Sequence, residues 1–482
     1  MSEAPEPPLE AAADACPTAA LREAVGPRSV VFVLVDTLRR DRLGAYGGSA
    51  RTPVFDALAA EGLRFERAWA NAPWTKPSIA TLFTGLHPSQ HGVVSHPRLR
   101  GDVSDEAALN DVLGSSHETL AEALAAAGWH TGGIVTNPWL GAAFGFAQGF
   151  ASWDDTLAAN DAPGPRVSRA ALRWIEALPD DDRPFFLYLH YMDPHEPYRM
   201  IPEAALAARR AAIEADARPV EPAWQHGIGR LAVDERGQQI AARGVPNNLA
   251  LLELAYDLGV EAFDRALGVL VDGLAAMPRA EDALLVLTSD HGQALYRRGW
   301  QGHGHGLFAD ETGIPLLMRG RGIPVGVVVD CPVGLVDLRS TLCDLLGVAC
   351  AGPDAGRSLL EPGDESRIVL SEAVRMRPRH RAARDVRYTL LHEPDGRTPP
   401  TARAPTAARR LFDHVADPEG EEDLLAETSR SPAVEQALDR LTAALDHGIE
   451  PIDIEAPERV PLDAATRSRL EALGYAEEES AP

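Results

Sequence analysis

Carboxylates and imidazoles recur wherever an apolar run stops: Asp36, Asp193 with His195, and Asp290 with His291. A glycine-rich stretch adds His303 and His305 in His-Gly-His spacing. Mixed carboxylate and imidazole donors suit Zn, Mn and similar ions, whereas carboxylate-dominated sets suit Ca or Mg. A hydroxyl, Thr75, precedes Pro77 by two residues. Pro77 fits the first turn of a helix, so Thr75 is expected just before that helix, where backbone N–H groups are unpaired and the dipole end is positive. Thr75 can be an N-cap or a nucleophile facing an anion site; by itself the stretch favours the cap. Together the groups fit metal-assisted ester hydrolysis. The ion lowers the hydroxyl pKa and holds the oxyanion, the alkoxide attacks an anionic centre, and a His protonates the leaving oxygen.

Three apolar runs must position these groups. Residues 30–35 (VVFVLV), 184–191 and 283–289 read as buried core strands, the first of them parallel. Open α/β sheets place ligands beyond the carboxyl ends of such strands, although a lone Asp or His there is more often a turn or cap residue. A strand over 131–136 and another over 314–318 join them. Helices are expected over 52–62, 117–128, 167–178, 248–274 and 336–346, each with apolar spacing or end signals. The alternation predicts an α/β fold with a large, mostly parallel sheet flanked by helices. From about residue 352 short strands (367–370, 388–391, 410–412) and helices near 432–446 and 463–473 suggest a small α+β subdomain. The predicted division is a disordered segment 1–27, a catalytic domain 28–351 with an insertion at 201–247, and the subdomain 352–482.

Composition narrows the partners. The 482 residues carry a formal net charge of −25, which argues against general nucleic-acid or anionic-membrane binding. The sequence shows neither a membrane-spanning run nor a signal peptide. The four cysteines (Cys16, Cys331, Cys343, Cys350) lack CxxC spacing, so no disulfide framework or zinc knuckle is expected, and a reducing cytoplasm fits. Nothing in the sequence sets an oligomeric state.

The residues also carry a family likeness. The blocks Phe32 to Gly47, Thr52-Pro53 with Ala59 to Gly62, Thr81 to Pro88 and Thr288-Ser289-Asp290-His291-Gly292 resemble the sulfatase family of the alkaline phosphatase superfamily. So do Val336-Asp337-Leu338, Gly356 to Leu359, Leu411-Phe412-Asp413 with Asp417-Pro418, and the closing Leu470 to Tyr475. The resemblance covers nearly the whole chain after residue 28 and implies an alkaline-phosphatase-like sandwich. It implies Asp36, Asp290 and His291 as metal ligands, and Thr75 as both nucleophile and ligand. Two departures stand out. The family's second carboxylate is Thr37 here, which removes one charge from a sulfatase-type calcium site. The family's formylglycine motif (Cys or Ser, any residue, Pro, any residue, Arg) reads Thr75-Lys76-Pro77-Ser78-Ile79. Threonine cannot become formylglycine, and Ile79 replaces the arginine. A formylglycine hydrate expels sulfate by eliminating back to the aldehyde; a threonine ester cannot. A Thr nucleophile resembles instead the phosphodiesterases, phosphonoacetate-type hydrolases and phosphoethanolamine or phosphoglycerol transferases of the superfamily.

The expected enzyme is therefore a metal-dependent hydrolase of sulfatase-like type, cleaving a phosphate, phosphodiester or sulfate ester through Thr75, with phosphoester chemistry favoured. His195, His303 and His305 are expected to meet the substrate, the leaving group or a second ion, and Asp193 with His195 are the candidate second-site ligands. One divalent ion (Zn, Mn or Ca), or two, is expected. Lys76 either takes over charge stabilisation from the missing arginine or is a solvated lysine. Asp41 and Arg42 either support the site or pair locally, Asp41 with Arg39 or Arg40. His87 and His91 read as loop structure. Trp69, Trp74, Tyr191 and Tyr198 are pocket wall or core. The substrate is a small anionic ester, on a glycan or lipid. The alternatives are a phospho-group transferase and a catalytically silent binding protein of the same fold.

Overall fold

A computed structural model describes residues 21, 24–26, 28–94, 109–159, 162–196, 198, 209, 249–295, 301–361, 367–373, 380–394, 409–427, 429–452 and 457–472. The insertion expected at 201–247 lies outside them apart from Arg209, which donates to Glu261 (2.8 Å).

A nine-stranded sheet forms the centre. Its strands are β1 (Val30–Val35), β2 (Leu63–Trp69), β3 (His130–Ile134), β4 (Ser152–Asp154), β5 (Phe185–Tyr191), β6 (Leu284–Ser289), β7 (Gly313–Arg319), β8 (Val327–Val329) and β9 (Val333–Gly334). They lie in the order β8-β2-β7-β6-β1-β5-β3-β4, with β9 also on β2. Only β7 runs antiparallel to its neighbours. The central β1 is buried along its whole length, as its unbroken apolar run requires when helices cover both faces.

Side-chain alternation divides the core. Val30, Phe32 and Leu34 of β1, with Tyr188 and Val286, pack against α2 (Thr75–Thr84), α3 (Leu120–Ala126) and α6 (Asp337–Leu346). Val31, Val33 and Val35, with Leu187, Leu189 and Leu287, pack against α1 (Pro53–Ala60), α4 (Gly164–Glu176) and α5 (Leu249–Ala275). The expected helices are all present. The first of the late strands forms at Val369–Ala373, and the next, His380–Arg384, was not expected. With Tyr388–His392 and Arg409–Asp413 they make a four-stranded antiparallel sheet. Helix α7 (Pro432–His447) covers it through Ala437, Leu441 and Leu445.

Three expectations change. Leu21 and Ala24, assigned to a disordered start, are buried in the core, because an apolar pair there meets the α6 side of the sheet. The chain end does not stay with the small subdomain: strand Arg459–Pro461 pairs with Leu109–Asp111, and Leu470 of α8 (Ala464–Ala472) joins the main core. Cys343 and Cys350 form a disulfide, against the expectation of unpaired thiols. Gly347, left-handed at φ 68°, ends α6 and turns the chain back on itself, leaving the two Cα atoms 6.1 Å apart. Among the described residues no helix is long and apolar enough to cross a membrane.

Candidate active site

Strand register brings the carboxylates together. Val35, the last residue of β1, lies beside Tyr191 of β5 and Ser289 of β6. Asp36 and Asp290 therefore leave adjacent strands at the same level. Leu34 is in register with both His190 and Thr288. With a period of two, Asp36, His190 and Asp290 all point to the α2 face. Their ligand atoms lie within 4.8 Å of one another, fully buried. His190 was missed from the sequence because it sits inside an apolar strand, and its facing depends on register.

The turn after β1 is tightly tied. Thr37 adopts φ 60°, unusual for a β-branched residue. Its N–H donates to Asp290 Oδ1 (3.2 Å), its hydroxyl to Asp36 O (2.7 Å), and its carbonyl accepts from Tyr256 Oη (2.6 Å). Ser289 Oγ accepts from Leu38 N (2.9 Å), joining the ends of β1 and β6. Asn137 Nδ2 donates to Asp36 Oδ2 (2.8 Å). Asp36 Oδ1 and Asp290 Oδ2 are buried and accept no hydrogen bond among the described residues. An orphaned carboxylate oxygen is expensive to bury, and two carboxylates grouped with an imidazole in this way fit a cation.

Thr75 is the first residue of α2, after Trp74 in an extended conformation. Its hydroxyl does not serve as the helix's N-cap; it lies 3.3 Å from His291 Nε2. His291 Nε2 is also 3.3 Å from Asp290 Oδ2 and 3.7 Å from Asp36 Oδ1. The His291 Nδ1–H donates to Gly292 O (2.9 Å), which turns Nε2 toward these groups. The His303 ring packs 4.5 Å from that of His291 and 5.2 Å from that of His195, so three imidazoles line one side. His303 Nδ1 meets Gln293 Oε1 (3.1 Å), and His305 is held by its backbone N–H on Glu311 Oε2 (2.8 Å).

Burial dominates the electrostatics. It pushes the Asp36 carboxyl up to about 6, with Asp290 adding to the rise and His195 and His291 opposing it. Asp290 is pushed up to about 7 by burial, against the N–H groups of Thr37 and His291. His190 is pushed down to about 3 by burial and by the neighbouring His195 and His291, so it is neutral.

Other expected residues fall elsewhere. Asp193 does not belong to the Asp36, His190 and Asp290 group. Two residues past Tyr191, it shares that residue's facing toward α4 and α5, and its Oδ1 accepts from Gly164 N (3.1 Å) at the start of α4. Burial raises its carboxyl to about 6. Lys76 is neither solvated nor turned to the Thr75 hydroxyl: Nζ donates to Asp111 O (2.7 Å) and lies 4.5 Å from the Phe144 ring. Burial lowers it to about 7. Ile79, at the motif's arginine position, is a core residue. Asp41 pairs with Arg39 (2.6 Å), and Arg42 approaches Glu253 and Asp257. His87 caps a short helix, and His91 meets Thr81 Oγ1 (3.1 Å) and Pro77 O (3.2 Å) from beneath α2. Trp69, Trp74, Tyr191 and Tyr198 are core side chains.

This fold and this cluster of aspartates and histidines at strand ends define an ester hydrolase of the alkaline phosphatase superfamily. The chain belongs to the sulfatase family, whose sequence model, described as Sulfatase, matches residues 28–348. It is 26% identical over 391 residues to a sulfatase of Formosa agariphila, covering 70% of this chain and 73% of the other. It is 28% identical over 329 residues to the N-sulphoglucosamine sulphohydrolase of Homo sapiens, covering 67% and 61%. The solved phosphonate monoester hydrolase of Agrobacterium radiobacter shares the fold with a TM-score of 0.64 at 20% identity, covering 87% and 96%.

Proposed function

We propose that this family member is a metal-dependent hydrolase using Thr75 as its nucleophile, with phosphate monoesters or diesters favoured over sulfate esters. The observation that carries the reading is the placement of the Thr75 hydroxyl at the N-terminus of α2, 3.3 Å from His291 Nε2, which itself lies 3.3 Å from Asp290 Oδ2 and 3.7 Å from Asp36 Oδ1. A divalent cation held by Asp36, Asp290, His291 and Thr75 would lower the hydroxyl pKa and offset the charge of the ester.

The chain's own groups account for the rest. The Thr75 hydroxyl loses its proton to solvent, and its oxygen bonds to phosphorus as the bond to the leaving oxygen breaks. That oxygen keeps the electron pair and takes a proton from His195 or His303, whose rings adjoin the site. Water then attacks phosphorus as the bond to the Thr75 oxygen breaks; one water proton goes to the histidine that gave its own, and the Thr75 oxygen regains a proton from solvent. Thr75 has no aldehyde to eliminate back to, so a sulfated threonine would have to wait for water in the same way. The N-terminal amides of α2 favour the anionic group throughout. The acceptor can also be an alcohol, which is the transferase alternative.

The substrate is a small anionic ester. Family relatives named for a glycan substrate, such as the human N-sulphoglucosamine sulphohydrolase, support a glycan-linked one. The apolar Ile79 supports a second reading, a silent protein of the same fold. For location, the sparse cysteines favour the cytoplasm and the Cys343–Cys350 disulfide favours an oxidising compartment; counting free thiols in protein purified without reductant decides between them.

The test is a metal analysis of the purified protein with assays on aryl sulfate, aryl phosphate and bis-aryl phosphate. Bound metal with multiple turnovers of a phosphoester supports the proposal. Faster turnover of the sulfate overturns the phosphoester preference, and no metal with no turnover favours the silent protein.

A further inference from the structure

We propose that His190 is a ligand of the cation and that it makes the site select Zn²⁺ over Ca²⁺. This rests on the metal site proposed above but concerns a residue that the family resemblance does not supply. The hydrogen bonds around the ring fix its tautomer. The single hydroxyl proton of Thr136 is given to His190 O (2.8 Å), because a carbonyl can only accept. The contact between Thr136 Oγ1 and His190 Nδ1 (3.2 Å) must then be donated by the ring. Nδ1 therefore carries the proton, and Nε2 presents a lone pair.

That lone pair points at negative charge. His190 Nε2 is buried without a hydrogen bond among the described residues, 3.5 Å from Asp36 Oδ2. The Asp36 oxygen is already engaged by Asn137 Nδ2 (2.8 Å). A lone pair facing a carboxylate repels it unless a cation lies between the two and their neighbours. Asp36, His190 and Asp290 bring their ligand atoms within 4.8 Å of one another. A metal-ligating His is oriented by donating its second N–H to an oxygen acceptor, and here Nδ1 donates to Thr136 Oγ1.

His190 also changes the character of the site. Thr37, which points its hydroxyl to Asp36 O, supplies no carboxylate. With His190 and His291 the donor set has two carboxylates and two imidazoles. Imidazole nitrogen favours Zn²⁺, whereas Ca²⁺ takes six to eight oxygens.

The full-length protein, stripped of metal, is dialysed against equal concentrations of Zn²⁺ and Ca²⁺ and its metal content measured, alongside Zn²⁺ titration by calorimetry. Wild type is expected to retain Zn²⁺ in excess of Ca²⁺. His190→Ala is expected to weaken Zn²⁺ binding by more than about 100-fold, and Thr136→Val, which releases the ring, by about 10- to 100-fold. The visible spectrum of the Co²⁺-loaded protein should change in His190→Ala. Far-UV circular dichroism confirms the fold of each variant. Unchanged Zn²⁺ affinity and Co²⁺ spectrum in a folded His190→Ala overturn the role of His190 while leaving the metal site standing. Retention of Ca²⁺ over Zn²⁺ by wild type overturns the selectivity. Failure of wild type to bind any divalent ion overturns the metal site itself.

Discussion

The Thr75 hydroxyl lies 3.3 Å from His291 Nε2, and the His303 ring packs against that imidazole, its centre 4.5 Å away and its plane tilted by 34°. The proposed nucleophile and the imidazoles nearest to it thus come from α2, from the end of β6 and from the loop after it. If His303 protonates the leaving oxygen, its removal matters most when that oxygen is a poor leaving group. His303→Ala is expected to slow hydrolysis of an alkyl phosphoester by about 10²- to 10⁴-fold and of a 4-nitrophenyl ester far less. Equal losses on both substrates would assign His303 to positioning.

The buried carboxylates make stability depend on pH in a definite direction. Asp36 and Asp290 have folded-state values raised to about 6 and about 7, above the unfolded carboxylate range. The folded protein therefore holds more protons between pH 4 and 7, and metal-free protein loses stability as pH rises through that window. A cation needs both groups ionised, so its stabilising effect grows over the same range. Thermal melts of metal-free and metal-loaded protein should diverge from pH 5 to pH 8. Parallel curves would contradict this.

Lys76 gives the opposite sign. Its ammonium, lowered to about 7 by burial, binds a carbonyl between aromatic rings. The unfolded chain holds this proton up to pH 10, so the contribution of Lys76 to stability improves as pH rises from 7 to 10. Lys76→Met fills the same space without charge. It is expected to stabilise the protein by about 1 kcal/mol at pH 7, with the gain shrinking toward pH 10, and to change kcat by less than about tenfold. Denaturant unfolding at the two pH values checks the first part. A loss of 100-fold or more in kcat would restore a charge-stabilising role.

Much of this site was legible because the signals are local. The run at 30–35 and the Asp290-His291 pair mark strand ends wherever the strands lie in the sheet. Asp193 follows a strand end in the same way, yet parity turns it to the opposite face, where it caps α4. His190 is hidden by the same rule from within its strand. The subdomain's hold on the histidine loop could not be read at all, because Arg384 and Leu307 stand 77 residues apart.

That hold is specific. The buried Arg384 guanidinium donates to Leu307 O and to Thr312 Oγ1 (2.9 Å), and Leu307 and Phe308 pack on Ala382, Leu391 and Phe412. The loop bearing His303 and His305 is thereby anchored on the small sheet. Arg384→Ala is expected to leave metal content intact and to lower kcat about tenfold or more through misplacement of the histidines. The loss should be steeper for poor leaving groups than for 4-nitrophenyl esters. Uniform loss that follows protein unfolding would reduce Arg384 to a structural residue.

The proposed chemistry depends on Thr75 more than on any other residue. The most direct measurement is turnover of bis-aryl phosphate by metal-loaded wild type and Thr75→Ala, with Thr75→Ser as the conservative control. Loss of the nucleophile is expected to lower kcat by on the order of 10³-fold or more, with Thr75→Ser retaining measurable turnover and all three proteins binding metal. Equal turnover by wild type and Thr75→Ala would contradict it.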